Sequence, residues 1–357
     1  EVILMYRNTY VQIDLQNIKE NVQKIIKKYS NYKYYFGVVK ADCYGHDDVK
    51  TVKAIIDGGC NYLCVATLEE ALEIRKKIED IPILCLGVIL KDYIDICKTK
   101  NITVTIPSLE YVKELKDENI ENLKVHIKIN TGMNRLGIKE SEELKEVYKI
   151  LEKKKANIEG IYTHIYEANN KQKYDIQIEK FEELLENIPK ERIPIIHTSA
   201  SEAMSNYNKA DNVNGCRLGI IMYAFTENKE LNLKSTFSLK SQVIQINNLK
   251  PGETVGYNGK YIAKENEKIA VVSIGYADGI LRKNTGRTVF INEKEYKIVG
   301  NICMDMLFVK IDNTVKLYDT VEILKDIEHI ESVAKYLDTI PYEVMCSIGK
   351  RVPRKYI

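Results

Sequence analysis

The sequence predicts a (β/α)8 barrel of the TIM type followed by a mainly β C-terminal domain. Three observations carry that prediction. Between residues 34 and 221, short apolar runs alternate with stretches of helical spacing, and the alternation repeats eight times. Those eight units fill about 200 residues, the size of such a barrel. From about residue 235 the rhythm changes to short strands separated by turn signals, with helical pattern almost confined to 330–337.

Taken in order, residues 10–15 alternate as a strand that can pair with either domain, and 17–29 carry helical spacing through Ile18, Val22, Ile25 and Ile26. The run from Tyr34 to Val39 reads as a strand buried on both faces, and Lys40 stands where it ends. Asp47 then suits an N-cap for a helix over 47–56. The remaining strands fall at 62–66, 81–88, 102–106, 124–129, 160–165, 193–198 and 215–221. Helices fall between them at 68–78, 91–98, 108–117, 141–154, 175–187 and 201–207. A doubly wound open sheet is the alternative, but there is no Gly-rich dinucleotide fingerprint. The barrel domain is therefore set at 10–234 and the β domain at 235–357, with residues 1–9 available to pair with the latter. Its strands are expected at 237–246, 269–274, 288–299, 307–311 and 320–324, with turns at Pro251-Gly252, Asn258-Gly259 and Asn284-Thr285-Gly286.

The balance of 53 basic and 51 acidic residues leaves a net charge of +2, which gives no electrostatic argument for nucleic acid or a membrane surface. Eight cysteines without a CxxC pair read as free thiols of a reducing cytoplasm rather than a disulfide framework or zinc site. No apolar run reaches the roughly 20 residues of a spanning helix. The chain opens on Glu1, so it reads as trimmed or excised, with Met5 a candidate native start.

Chemistry is concentrated at predicted strand ends, where such barrels keep it. A lysine at the tip of a buried strand, like Lys40, is a costly place for a solvated charge, and a neutral amine there can form a Schiff base. Beyond the fifth strand, Arg135 sits between Gly132 and Gly137. His164 and His197 end the sixth and seventh strands, and Arg217 lies on the eighth.

In their order and wording these stretches resemble the alanine racemase family. Lys40-Ala41-Asp42-Cys43-Tyr44-Gly45-His46 is similar to its pyridoxal-phosphate lysine motif, and Thr131-Gly132-Met133-Asn134-Arg135-Leu136-Gly137 to its T-G-M-x-R-x-G string. Arg217-Leu218-Gly219-Ile220-Ile221-Met222-Tyr223, Gly275-Tyr276-Ala277-Asp278-Gly279 and Ile302-Cys303-Met304-Asp305 match further motifs, and Arg351-Val352-Pro353-Arg354 matches the family's ending.

The resemblance implies an amino-acid racemase using pyridoxal 5'-phosphate, with alanine as substrate and serine or a broader amino-acid range as the alternative. It implies that Lys40 carries the cofactor and is one catalytic base, and that Tyr276 is the other. Tyr44, Ser201, Gly219 and Ile220 face the phosphate, Arg135 the phenolic oxygen and the substrate carboxylate, and Arg217 the pyridine nitrogen. His164 supports the arginine under the ring, Met304 offers its backbone N–H to the substrate, and Lys128 is a candidate for carbamylation. It also implies a homodimer with composite sites and no metal. Three departures stand out: Asn130 replaces a common Asp, Ala200 a common Asn, and Lys350 a tyrosine beside the substrate pocket. A non-enzymatic pyridoxal-phosphate protein of similar barrel would keep Lys40 but lack the β domain and Tyr276.

Overall fold

The structure is a computed structural model that describes residues 6–357. The expectations for residues 1–5, a native start at Met5 included, lie outside the described residues. The first strand, β1 (Tyr10–Ile13), buries Val11 and Ile13 and leaves Tyr10 and Gln12 partly exposed.

Eight parallel strands then close into a barrel: β2 (Tyr34–Val38), β3 (Tyr62–Val65), β4 (Ile83–Cys85), β5 (Ile102–Ile106), β6 (Lys124–Lys128), β7 (Asn157–Tyr162), β8 (Ile195–Ala200) and β9 (Gly215–Leu218). Each pairs with the next, and β9 returns to β2 in the register Tyr34↔Gly215 to Gly37↔Leu218. Four of them, β3, β4, β5 and β9, are buried along their whole length. Continuous apolar runs therefore marked the strands well, because both faces are covered. Strand β7 begins earlier than its apolar run, at Asn157. The Val125/His126 irregularity against β7 shifts the pairing, and Gly160 is needed because a Cβ there would lie 2.5 Å from the His126 ring.

The C-terminal strands are β10 (Phe237–Leu249), β11 (Thr254–Val255), β12 (Tyr261–Ile262), β13 (Glu267–Val272), β14 (Thr288–Ile291), β15 (Lys294–Val299), β16 (Leu307–Ile311), β17 (Thr320–Leu324) and β18 (Arg354–Tyr356). The first half of β10 pairs with β17 and the second half with β13, across a bulge at Val243/Gln245. With β14, β15 and β16 they form a closed antiparallel ring. The single strand expected over 288–299 is a hairpin instead. Asn292 and Glu293, at φ 50° and 62°, make the tight turn whose twist suits adjacent strands.

Strand β1 pairs antiparallel with β10 and parallel with β18, so of the two pairings open to residues 10–15 it takes the one with this sheet. Its half-buried alternation fits a sheet with one covered face. One compact unit accordingly comprises the N-terminal stretch through Ile18, Tyr44–Asp48 and Lys234–Ile357. The other comprises Lys19–Cys43 and Val49–Leu233. Among the described residues, no helix is long and apolar enough to cross a membrane.

Candidate active site

Past β2 the backbone takes a form the sequence did not announce. Lys40–Gly45 is one helical turn of the left hand: Ala41, Asp42, Cys43, Tyr44 and Gly45 have φ of 51°, 50°, 52°, 57° and 83°. For L-residues other than glycine this costs about 1–2 kcal/mol each, so the surroundings must enforce it. On the barrel side, Glu70 accepts the Ala41 N–H at 2.6 Å, while its other oxygen takes those of Ala66 and Thr67. In the β unit, Arg354 Nε donates to Gly45 O, and a Cβ on Gly45 would meet Met345 O at 2.5 Å. The helix expected from Asp47 runs over Asp48–Asp57.

The barrel brings Lys40, Lys128, Arg135, His164, Ser201, Arg217, Gly219 and Ile220 to the C-terminal ends of its strands. Arg217 is 3 % exposed. Its Nη1 donates to His197 Nδ1 at 2.7 Å and His197 O at 3.2 Å, and its Nη2 to Thr163 O and Thr198 O at 2.8 and 3.0 Å. Those four bonds clamp the guanidinium and leave Nε–H as the donor not engaged by the described residues. Ser201 Oγ accepts the Gly219 N–H at 3.1 Å, so the hydroxyl keeps its own proton to donate. Asn130 caps its own loop by accepting the N–H groups of Gly132 and Asn134.

This end of the barrel is cationic. Lys128 is buried, with Nζ 4.6 Å from the centre of the Tyr162 ring. Burial first, then the charges of Arg217 and Arg135, push its amine well below the usual lysine range. Burial, then Arg217, Lys128, Arg135 and Lys40, push His164 down to about 3. A site that depresses bases in this way favours anions.

In the β unit, three sequence motifs are stitched together. Tyr276 N–H donates to Cys303 O and Ala277 N–H to Met304 O, both at 3.0 Å. Gly275 permits that approach, because a Cβ there would lie 2.4 Å from both carbonyl oxygens. Asp278, fully buried, accepts two hydrogen bonds from Arg7 and one from the Gly275 N–H, and its carbonyl accepts the Gly349 N–H beside Lys350. Arg351 bridges Asp278 and Asp305. Tyr276 and Met304 are exposed at 41 % and 52 %. Tyr44 is buried in this same unit with its ring against Tyr342.

The buried histidines make stability depend on pH. His126 and His197 are held below the usual range first by burial, and burial likewise takes His329 down to about 4. With His164 that makes four histidines that stay neutral in the folded chain while the unfolded chain protonates near pH 6.5. Stability is therefore full above that pH and falls below it, by up to about 1.4 kcal/mol per pH unit for each histidine. Urea midpoints should drop between pH 7.5 and 5.0; a flat profile would show that these rings titrate normally.

Comparison with known proteins shows the family. Residues 13–227 match the family model of the alanine racemase N-terminal domain and residues 236–356 that of the C-terminal domain. The chain belongs to the alanine racemase family. It is a racemase, an isomerase. It is 36% identical to alanine racemase 1 of Bacillus subtilis over 366 residues, covering 99% of this chain and 94% of the relative. It is 35% identical to an alanine racemase of Staphylococcus epidermidis, covering 98% and 95%. It is also similar to the crystal structure of the Bacillus anthracis alanine racemase with bound L-Ala-P, at a TM-score of 0.92 and 34% identity, covering 99% and 96%.

In this racemase, sequence reasoning missed the supports rather than the motif residues. Arg7 on Asp278 lies outside every motif string, and Glu70 was read only as part of a helix. Glu159 and His126 drew no notice, because single charged residues spaced along different strands leave no pattern until the barrel closes.

Proposed function

We propose that this racemase interconverts L- and D-alanine with pyridoxal 5'-phosphate, using Lys40 and Tyr276 as its two bases. The observation that carries the reading is the cationic end of the barrel: a strand-tip lysine beside a clamped, buried arginine whose Nε–H is uncommitted. Those residues fit the group. Lys40 would hold its aldehyde carbon, the Ser201 hydroxyl and the backbone at Gly219 and Ile220, together with Tyr44, its phosphate, Arg217 its ring nitrogen, and Arg135 its phenolic oxygen. Bound there, the cofactor supplies an electron sink that makes the substrate Cα–H acidic.

The chain's own groups do the rest. Lys40 Nζ takes or returns a proton at Cα, and the Tyr276 hydroxyl does the converse. Arg217 cannot give up a proton at working pH, so it leaves the ring nitrogen unprotonated and restrains the sink, which disfavours transamination. His164, kept neutral, supports the site without adding a further cation. Arg135 and the Met304 N–H bind the substrate carboxylate. Once it has lost its proton, which burial and the charges of Arg217 and Arg135 favour, the Lys128 amine can add CO2, giving a carbamate and a proton, and the anion would hold Arg135; a carbamate carbonyl signal after exposure to 13C-labelled bicarbonate tests this. The exposed Tyr276, Met304, Met306 and Leu281 side chains favour a homodimer in which a second copy completes each site. Buried free thiols at Cys43, Cys60, Cys64, Cys85, Cys97 and Cys216 favour a reducing, cytoplasmic setting.

Lys350, exposed next to the Asp278 segment, bears on the substrate. A lysine leaves space that a tyrosine ring would fill, so the ratio of kcat/KM for L-serine to that for L-alanine should fall about 10-fold or less in Lys350→Tyr. The experiment for the whole reading measures racemisation of both amino acids by the wild type and this variant with added cofactor. No turnover of alanine would sink the assignment, and an unchanged ratio would remove Lys350 from substrate choice.

A further inference from the structure

Arg217 is a buried cation, and among the described residues no carboxylate pairs with it directly; its four Nη contacts are carbonyl oxygens and an imidazole. An uncompensated buried charge is expensive. The compensation lies further down the barrel. A guanidinium only donates, so the 2.7 Å bond from Arg217 Nη1 requires an unprotonated His197 Nδ1. The neutral ring then carries its proton on Nε2, which stands 2.9 Å from His126 Nδ1 and must donate to it. That in turn puts the His126 proton on Nε2, which finds no regular hydrogen-bond partner but points at Glu159 Oε2 across a long 3.4 Å contact.

The rings have little freedom to turn. His197 is stacked between Phe36 and Tyr162, with centroids at 4.5 and 4.6 Å. His126 fills the space that Gly160 leaves. Glu159 remains an anion. Burial works against its charge, but the His126 ring facing it and the hydrogen bond from Tyr62 prevail and hold it at about 2. Tyr62 Oη donates to it at 2.6 Å and Lys124 stands 3.8 Å away. It is partly exposed and lines a cavity of about 300 Å³ with Asn61, Asp80, Asn157 and Pro194. Residues of the β2, β3, β6, β7 and β8 N-terminal ends share that lining, so the cavity is at the opposite mouth of the barrel from Lys40.

We propose that Glu159 is the counter-charge of Arg217, joined to it through the tautomer-ordered pair His197 and His126, and is thereby a positioning residue for racemisation. The role of Arg217 in that statement rests on the proposed function; the chain of hydrogen bonds does not. Glu159 fixes which imidazole nitrogen faces the guanidinium, and so which way the Nε–H of Arg217 is aimed, from the far side of the barrel.

The test uses the full chain with pyridoxal phosphate, labelled with 15N-histidine. In the wild type both His126 and His197 should show a bare Nδ1 and a protonated Nε2. Glu159→Gln keeps an oxygen acceptor and should keep those tautomers while lowering kcat. Glu159→Leu removes the acceptor; His126 should lose its tautomer preference, and kcat should fall about tenfold with KM nearly unchanged, the size of effect that outer partners of a reactive group carry. A protonated Nδ1 on His197 in the wild type overturns the proposal. So does a Glu159→Leu protein with wild-type tautomers, or a Glu159→Gln protein with wild-type kcat. Failure of the underlying reading would look different: ordered tautomers in a protein that does not racemise.

Discussion

Lys40→Ala should lower racemisation by a factor of about 10^4 or more and remove the visible absorbance of bound pyridoxal phosphate. The two losses have separate origins. The absorbance needs a covalent bond to the amine, and the rate needs a base at Cα, a contribution of about 10^2–10^4 by itself. Fold stability should hardly move. Lys40 is partly exposed, and it is not among the residues with positive φ, so alanine is accommodated at its place in the turn. D-alanine formation from L-alanine and the absorption spectrum measure both effects. Retained turnover without an added amine would mean that another group carries the cofactor.

Tyr276→Phe should cost about 10^2–10^4-fold in rate while leaving cofactor absorbance intact, because the hydroxyl is lost but the ring is kept. The turn that carries it, held by Asp278, Arg7 and the Cys303 and Met304 carbonyls, does not use the hydroxyl. If a second copy supplies Tyr276, mixing Lys40→Ala with Tyr276→Phe subunits rebuilds one intact site per heterodimer. Random pairing then returns about a quarter of wild-type activity, since half the dimers are mixed and each has one working site. No recovery in a sample shown to contain heterodimers would place both residues in one chain's site.

Much of the fold was legible because burial imposed a pattern. Leu307–Ile311 and Thr320–Leu324 match their expected bounds: they alternate, and the sheet covers one face. The barrel strands were visible as apolar runs because both faces are covered. The hairpin at Asn292-Glu293 was hidden by a turn that uses Asn and Glu where Gly would have announced it. Strand β18 is three residues long, too short to show a period. The left-handed turn could not be read at all. Ala41, Asp42, Cys43 and Tyr44 do not favour that conformation, and what enforces it, Glu70 and Arg354, lies 29 and 309 residues from the backbone groups it holds. The site shows the same division. Lys40, Arg135, Arg217 and Tyr276 sit in contiguous strings whose wording carried a resemblance. Glu159 acts through His126 and His197, and only the closed barrel puts those three in line.

The pairing of β1 has a consequence for how the protein is made. Tyr10–Ile13 leaves the ribosome well before its partners, Phe237–Lys240 and Arg354–Tyr356. At roughly 5–20 residues per second, the wait for the first partner lasts on the order of 10–50 seconds. During that time the whole barrel sequence emerges and can close, while β1 offers bare strand edges. The β unit cannot be completed until Tyr356 has emerged, so the β1 pairings, in the same unit as the Tyr276 turn tied to Arg7, come after the barrel sequence is out. A nascent chain stalled before residue 237 would hold the barrel strands and a β1 with nothing to pair with.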